Sequence, residues 1–289
     1  MARASKRVSN KGNPKRSSAA PEPFAPGGTS VGWTFWNTIL TCWRMWFLRY
    51  VEGLHPIHTP RELSLGSAYH GLLEGHSAAT IYQANPIEYR PVLDEAQRLF
   101  VSRKAPGAPP MSPAIVTEQT LMVPGIPMSS KPDRIEETPT GKRIREFKTA
   151  ATFRETDSQV WAVSGEVIGE MMAAGVDTAI VDIIEKRKGA VRQIEVNLTP
   201  EKVSALVGLV ESLRGEVEIR FRRWSSFVKV DGKISPSNLD RLFPKSLSNC
   251  GYQYGRPCPY YERCWSRSAG SHLYVKKQTS NWRKFLNLE

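Results

Sequence analysis

Apolar side chains recur at spacings of three and four between residues 34 and 50, at Trp36, Ile39, Leu40, Trp43, Phe47 and Tyr50, and predict a helix. Residues 61–80 predict a second helix, carrying His70 and the pair Leu72-Leu73. The pattern then turns strand-like. Residues 117–123 (TEQTLMV) predict one strand, and 128–136 with 142–148 predict a hairpin closed by the turn-forming TPTG at 138–141. A helix follows over 157–173, then two strands over 178–185 (TAIVDIIE) and 191–196. A long amphipathic helix spans 200–224, entered through Thr199-Pro200. No internal repeat interrupts this order. It predicts an α/β fold in which helices flank a mixed β-sheet.

Composition refines the picture at the two ends. Residues 1–30 are rich in Ser, Pro, Ala and Gly, carry six Lys and Arg residues before the first acid at Glu22, and predict a disordered basic tail. An Arg- and Ser-rich start of this kind also fits an organelle transit peptide. Residues 31–289 predict one domain, with a cysteine-bearing region at 245–270. No run approaches the roughly 18 apolar residues that span a bilayer, and no signal-peptide core is present, so the expected location is the cytoplasm and no membrane partner is expected. The net charge of +12 over 289 residues favours a polyanionic partner, above all nucleic acid.

Candidate chemistry concentrates in KPDRIEETPTGKRIREFKTA, residues 131–150. Glu146 and Lys148 are two apart on a predicted strand and so share a face; Phe147 between them turns to the core. Asp133, predicted on the partner strand, can reach the same polar edge. Carboxylate oxygens suit Mg²⁺ or Mn²⁺, which neutralises a scissile phosphate and acidifies a water. Lys148 can orient or deprotonate that water, and the Phe147 carbonyl offers a further oxygen. A solvated strand face with a cross-strand ion pair is the plain alternative. Elsewhere, Cys42, Cys250, Cys258 and Cys264 point to metal ligation rather than disulfides in a chain that is not secreted.

Taken in order, the motifs resemble the RecB-type branch of the PD-(D/E)XK nucleases. The matches are TCWRMWFLRYVEGL at 41–54, LGSAYHGLLEGH at 65–76, an extended segment with Glu118, PDRI at 132–135, REFKTA at 145–150, Gln159, and the C-terminal cysteines; together they cover roughly 34–265. The resemblance implies a restriction-endonuclease-like fold and a deoxyribonuclease, specifically an exonuclease acting on DNA ends or single strands in recombination, repair or phage DNA processing, with a possible recombination or helicase partner. It implies that His70, Asp133, Glu146 and the Phe147 carbonyl hold Mg²⁺ or Mn²⁺, and that Gln159 orients Lys148 or a phosphate. It also implies a [4Fe–4S] cluster on Cys42, Cys250, Cys258 and Cys264, as in AddB-like and CRISPR-adaptation nucleases; structural Zn²⁺ suits four thiolates equally well. Two positions depart from the family pattern: Lys131-Pro132 stand where a glycine often precedes the acid, and Val163 where an aromatic often follows the Gln.

Aromatic and basic residues interleave at 43–50 and 252–267, continuing to Lys276-Lys277 and Trp282-Arg283-Lys284, a pattern that can stack bases and track phosphates. Arg220, Arg222 and Arg223 are a further candidate phosphate strip, or simply a solvated helix end. Two other readings stand beside the nuclease: a non-catalytic DNA-binding scaffold of the same fold, and a zinc-stabilised nucleic-acid-binding module.

Overall fold

In the computed structural model, which describes residues 31–57, 61–83, 89–117, 119–250, 258–265, 273–277 and 282–288, the expected α/β fold is present. Its centre is a five-stranded mixed sheet of order β2-β5-β6-β7-β8, formed by Ala114–Thr117, Arg134–Thr138, Gly141–Ala150, Thr178–Glu185 and Val191–Asn197. β5 and β6 form the predicted antiparallel hairpin, and β6 and β7 run parallel. A parallel pair needs a crossover, and α6 (Asp157–Ala162) with α7 (Gly165–Ala174) supplies it.

Period-two burial decides what meets each face. Ile144, Val181 and Ile183 pack with Val167 and Met171 of α7. Phe147 and Ile184 pack on the other side with α3 (Arg61–Leu73), α4 (Ala78–Gln83) and α5 (Arg90–Lys104). That second face also buries a charged network. Arg145 bonds Glu136 at 2.6 Å and Asp182 at 3.0 Å, and Arg103 of α5 reaches Asp182 at 2.6 Å. Asp182 further accepts from Gln193 at 2.7 Å, and Arg103 donates to the Pro109 carbonyl.

Several elements differ from the sequence pattern. The predicted helix over 34–50 is broken. α1 (Trp33–Thr41) stops at Cys42, which is extended, and α2 (Trp43–Trp46) runs on into a π-turn at Phe47–Val51. The break lets the Arg44 amide bond the Pro244 carbonyl while its guanidinium bonds the Phe243 carbonyl and Asp240. The single strand over 117–123 becomes β2 and β3 (Leu121–Met122), and that over 128–136 becomes β4 (Ser129–Ser130) and β5. Pro132 has no amide to give a ladder, and the gap it makes between β4 and β5 lies opposite the gap between their partners β3 and β2. The helix over 157–173 splits at Val163-Ser164. The long helix α8 (Pro200–Asp231) runs past 224 to a left-handed Gly232, and Thr199 caps its start by accepting from the Lys202 amide. α5 was not among the predicted helices, although its buried Val92, Leu93, Ala96, Leu99 and Arg103 keep helical spacing. Residues 1–30 and Glu118 lie outside the described residues.

The first and last of the described elements meet in an aromatic core. Phe35, Trp46 and Phe221 surround the fully buried Trp282 of α12 (Trp282–Phe285), whose indole donates to the Tyr50 carbonyl. Phe47 stacks on Phe243, just after α9 (Pro236–Leu242). β1 (Leu54–Pro56) pairs with β9 (Tyr274–Lys276). Trp282 is therefore a packing residue.

Gly165 opens α7 directly beneath Trp33, where a methyl group would sit 2.3 Å from the indole ring. The Gly165→Ala protein is expected to lose about 1–3 kcal/mol, because the overpacking outweighs the gain in helix propensity. A lower urea midpoint with unchanged slope would show it. The equivalent change at Gly169 meets the flexible end of Met128 and should cost less.

Candidate active site

Asp133 sits in the bend just before β5 rather than on the strand itself. One of its oxygens accepts from the Phe147 amide at 2.8 Å, which fixes the carboxylate against β6. The other lies 3.1 Å from Nδ1 of His70, delivered by α3. The second ring nitrogen of His70 is 2.8 Å from the Phe147 carbonyl. Both nitrogens thus face acceptors, and a ring that donates twice is an imidazolium. Burial disfavours that charge, but the adjacent Asp133 carboxylate prevails and lifts His70 to about 9. Burial also opposes the charge on Asp133, and His70 in turn holds it down at about 2.

His70, Leu73, Glu74, Thr117, Asp133, Arg134 and Phe147 line a small pocket over this pair. Glu74 stands one turn beyond His70, with its carboxylate 3.5 Å from His76. Phe147 places its ring in the core, as the strand period predicts, and its carbonyl at the pocket.

Glu146 and Lys148 share the opposite face of β6, under α7. The Lys148 ammonium is 2.5 Å from Glu146 and 3.1 Å from Glu166, with the Trp161 ring at 5.5 Å. Glu146 is buried, and burial together with the Asp133 charge raises it to about 8. Lys148 stays protonated: burial works against the charge, but Glu146 and Glu166 outweigh it. Glu170, one turn after Glu166, is buried as well and is pushed well above the carboxylate range, first by burial and then by its two acidic neighbours.

Among the described residues, the set of three side chains whose ligand atoms all lie within 4.8 Å is Glu146, Glu166 and Glu170. The expected trio of His70, Asp133 and Glu146 is not drawn together to that distance; Asp133 and Glu146 interact through their charges. Hard oxygen donors of this kind fit Mg²⁺ or Mn²⁺. The Oε2 atoms of Glu146 and Glu170 are buried without a hydrogen-bond partner, which suits a site that binds a cation.

Gln159 is exposed on α6, and the contacts of Lys148 run to Glu146, Glu166 and Trp161 instead. Sequence reasoning missed Glu166, Glu170 and Trp161. The available signal was Glu170 standing on the apolar side of α7, between Val167 and Met171.

The four cysteines lie within electrostatic range of one another without forming a tight cluster. Cys42 and Cys250 are buried, and Cys258 and Cys264 are half-buried. Cys250 ends α10 (Leu247–Cys250), its carbonyl accepts from the Cys258 amide, and Cys264 lies in α11 (Tyr261–Trp265). The Cys42 sulfur accepts from the Ser246 amide at 3.4 Å. Burial pushes Cys264 up to about 12; Arg44 opposes this, and the other three thiols add to it. Yet no three of these sulfurs lie within 4.8 Å of one another among the described residues. One tetrahedral Zn²⁺ needs sulfurs about 3.8 Å apart, from Zn–S bonds of about 2.3 Å, so the donor set as it stands is wider than a single-ion site.

Of the candidate nucleic-acid contacts, Arg220 is engaged internally, over the Trp43 ring at 4.4 Å and on the Leu242 carbonyl. Arg222 pairs with Glu218. Trp265 is 44% exposed with the Lys245 ammonium 4.5 Å from its ring, which leaves it open to stacking. No helix of the described residues is long and apolar enough to cross a membrane.

A model of the PD-(D/E)XK nuclease superfamily matches residues 34–196, the stretch that holds the sheet, α3 and α7. No curated protein matches the chain. Solved structures with some likeness include the crystal structure of SSO0001, at 14% identity and a TM-score of 0.27, covering 50% of this chain and 68% of that one. That likeness is too weak to add to the fold already described.

Proposed function

Because the chain belongs to the PD-(D/E)XK nuclease superfamily, we propose that it is a metal-dependent deoxyribonuclease of the RecB type, an exonuclease acting on DNA ends or single strands in recombination, repair or phage DNA processing. The observation that carries this reading is Asp133 held by the Phe147 amide at 2.8 Å, with Glu146 and Lys148 beside it on β6. His70, Asp133, Glu146 and the Phe147 carbonyl would hold the ion. Bound Mg²⁺ or Mn²⁺ supplies charge neutralisation on the scissile phosphate and acidifies a water. Asp133 positions the His70 ring and the end of β6. Lys148, kept charged by its acidic neighbours, offers an ammonium to the negative charge that builds on phosphorus. Trp161 beside it can take the face of a nucleobase. A linear duplex and a single strand, end-labelled, are expected to shorten to mononucleotides while a closed circular duplex persists. Internal fragments from the circle would exclude the exonuclease reading.

His70 gives this site a proton-linked step. To bind an ion it must lose the proton that its folded value of about 9 retains at neutral pH, and Glu146, at about 8, must do the same. Protons therefore compete with the metal. Mn²⁺ affinity is expected to climb about tenfold or more per pH unit from pH 6 to 8 and to level off near 9, with proton release seen by calorimetry in two buffers. A flat profile over that range would contradict His70 as a ligand.

The four cysteines are proposed to hold a [4Fe–4S] cluster. The reading is supported by the electrostatic proximity of the four thiols and by the suitability of four thiolates for a cubane cluster. Anaerobically purified protein is expected to be brown, and Cys264→Ser to lose the visible band and about 2–5 kcal/mol or more of stability, since ligation energy is also folding energy. Colourless protein with one zinc per chain would overturn the cluster.

A further inference from the structure

We propose that Glu146, Glu166 and Glu170 hold a second divalent cation, with Glu146 shared between it and the ion assigned to His70, Asp133 and the Phe147 carbonyl. Three observations converge. First, the ligand atoms of the three carboxylates already lie within 4.8 Å of one another. Octahedral coordination at about 2.1 Å sets adjacent oxygens about 3.0 Å and opposite oxygens about 4.2 Å apart, so the carboxylates reach one ion by drawing inward or through a bridging water. Second, Glu146 and Glu170 are only 3% and 4% exposed, and each leaves Oε2 without a hydrogen-bond partner. A buried carboxylate oxygen left unpaired is costly, and a cation removes that cost. Third, the cradle already accommodates positive charge, since Lys148 stands 2.5 Å from Glu146 and 3.1 Å from Glu166. One ammonium among three carboxylates leaves room for two more positive charges.

Glu166 and Glu170 are four apart on α7, one helical turn, so both face β6 at the level of Glu146. The donors are all hard oxygens, which select Mg²⁺ or Mn²⁺ over softer ions. When the attacking water gives up a proton to solvent and its oxygen bonds to phosphorus, the P–O ester bond breaks and its electron pair stays on the leaving oxygen. A cation held by the three carboxylates would neutralise that charge until the leaving oxygen takes a proton from solvent.

The inference rests on the nuclease reading for the shared ligand Glu146, and counting ions separates the two. Mn²⁺ alone is the probe, by equilibrium binding and electron paramagnetic resonance, on wild type, Asp133→Asn, Glu166→Gln and Glu170→Gln. Wild type is expected to bind two Mn²⁺ with an exchange-coupled signal. Each variant is expected to bind one, with an uncoupled signal. One ion in wild type, lost in Asp133→Asn but kept in both helix variants, would overturn the second site and leave the nuclease reading standing. No ion in any protein would overturn both. Glu166 is 35% exposed at its side chain, so Glu166→Gln should fold even where Glu170→Gln does not; circular dichroism checks this.

Discussion

Asparagine in place of Asp133 is expected to lower Mg²⁺- or Mn²⁺-dependent DNA cleavage by at least about 10³-fold, roughly 4 kcal/mol of transition-state stabilisation, while DNA affinity changes little. The exchange keeps the shape of the side chain and an acceptor for the Phe147 amide. What it removes is the negative charge. That charge is the reason His70 titrates near 9 rather than at its ordinary 6.5, so the His70 ring protons should report the loss independently of activity: in the variant their titration should move back towards or below 6.5. A variant that cleaves within tenfold of wild type would remove Asp133 from the site. One that loses cleavage while the His70 titration stays unmoved would mean that its effect is structural.

The second large effect concerns stability. Alanine at Asp182 leaves the Arg103 and Arg145 guanidinium groups without the carboxylate they share, in a place where all three side chains are 2% exposed or less. Breaking a buried pair by deleting one partner costs about 3–5 kcal/mol, against a total stability of about 5–15 kcal/mol for a typical domain. Glu136 still neutralises part of Arg145; Arg103 keeps the Pro109 carbonyl and, among the described residues, no other acid partner. Urea unfolding of Asp182→Ala should show a loss of that size. A change below about 1 kcal/mol would mean that water enters and solvates the two arginines.

The position of Asp182 illustrates what the sequence made legible. Residues 178–185 read as a buried strand, and they are one. The register that pairs Asp182 with Phe147, and so sets it beside Arg145 under α5, is a long-range fact with no local signature. The same holds in the site. Glu146, Phe147 and Lys148 could be placed because strand period fixes their faces, and both faces came out as expected. Asp133 could be paired with them because a hairpin is local. His70 was reachable only through family resemblance, since nothing in a helix of ordinary composition shows that its turn will land on the Phe147 carbonyl.

The failures have physical causes too. The helical period from Trp36 to Tyr50 is real, but Cys42 adopts an extended conformation because Arg44 is drawn to the 240–244 segment. Glu166 and Glu170 went unnoticed because their role depends on β6 lying beneath α7, which is a tertiary fact, although Glu170 falls between the apolar Val167 and Met171. Gln159 shows the converse: its spacing suits a motif, yet it is exposed on α6 while Lys148 meets Glu146, Glu166 and Trp161.

Everything proposed for the site depends on divalent-cation-dependent cleavage of DNA at Asp133, Glu146 and Lys148. It is tested most directly by stripping the purified protein with chelator, adding end-labelled linear DNA, and then restoring Mn²⁺. No cleavage is expected in chelator, with recovery on Mn²⁺ addition and none recovered in Glu146→Gln at the same metal concentration. Cleavage that persists in chelator, or that returns equally in Glu146→Gln, would contradict it.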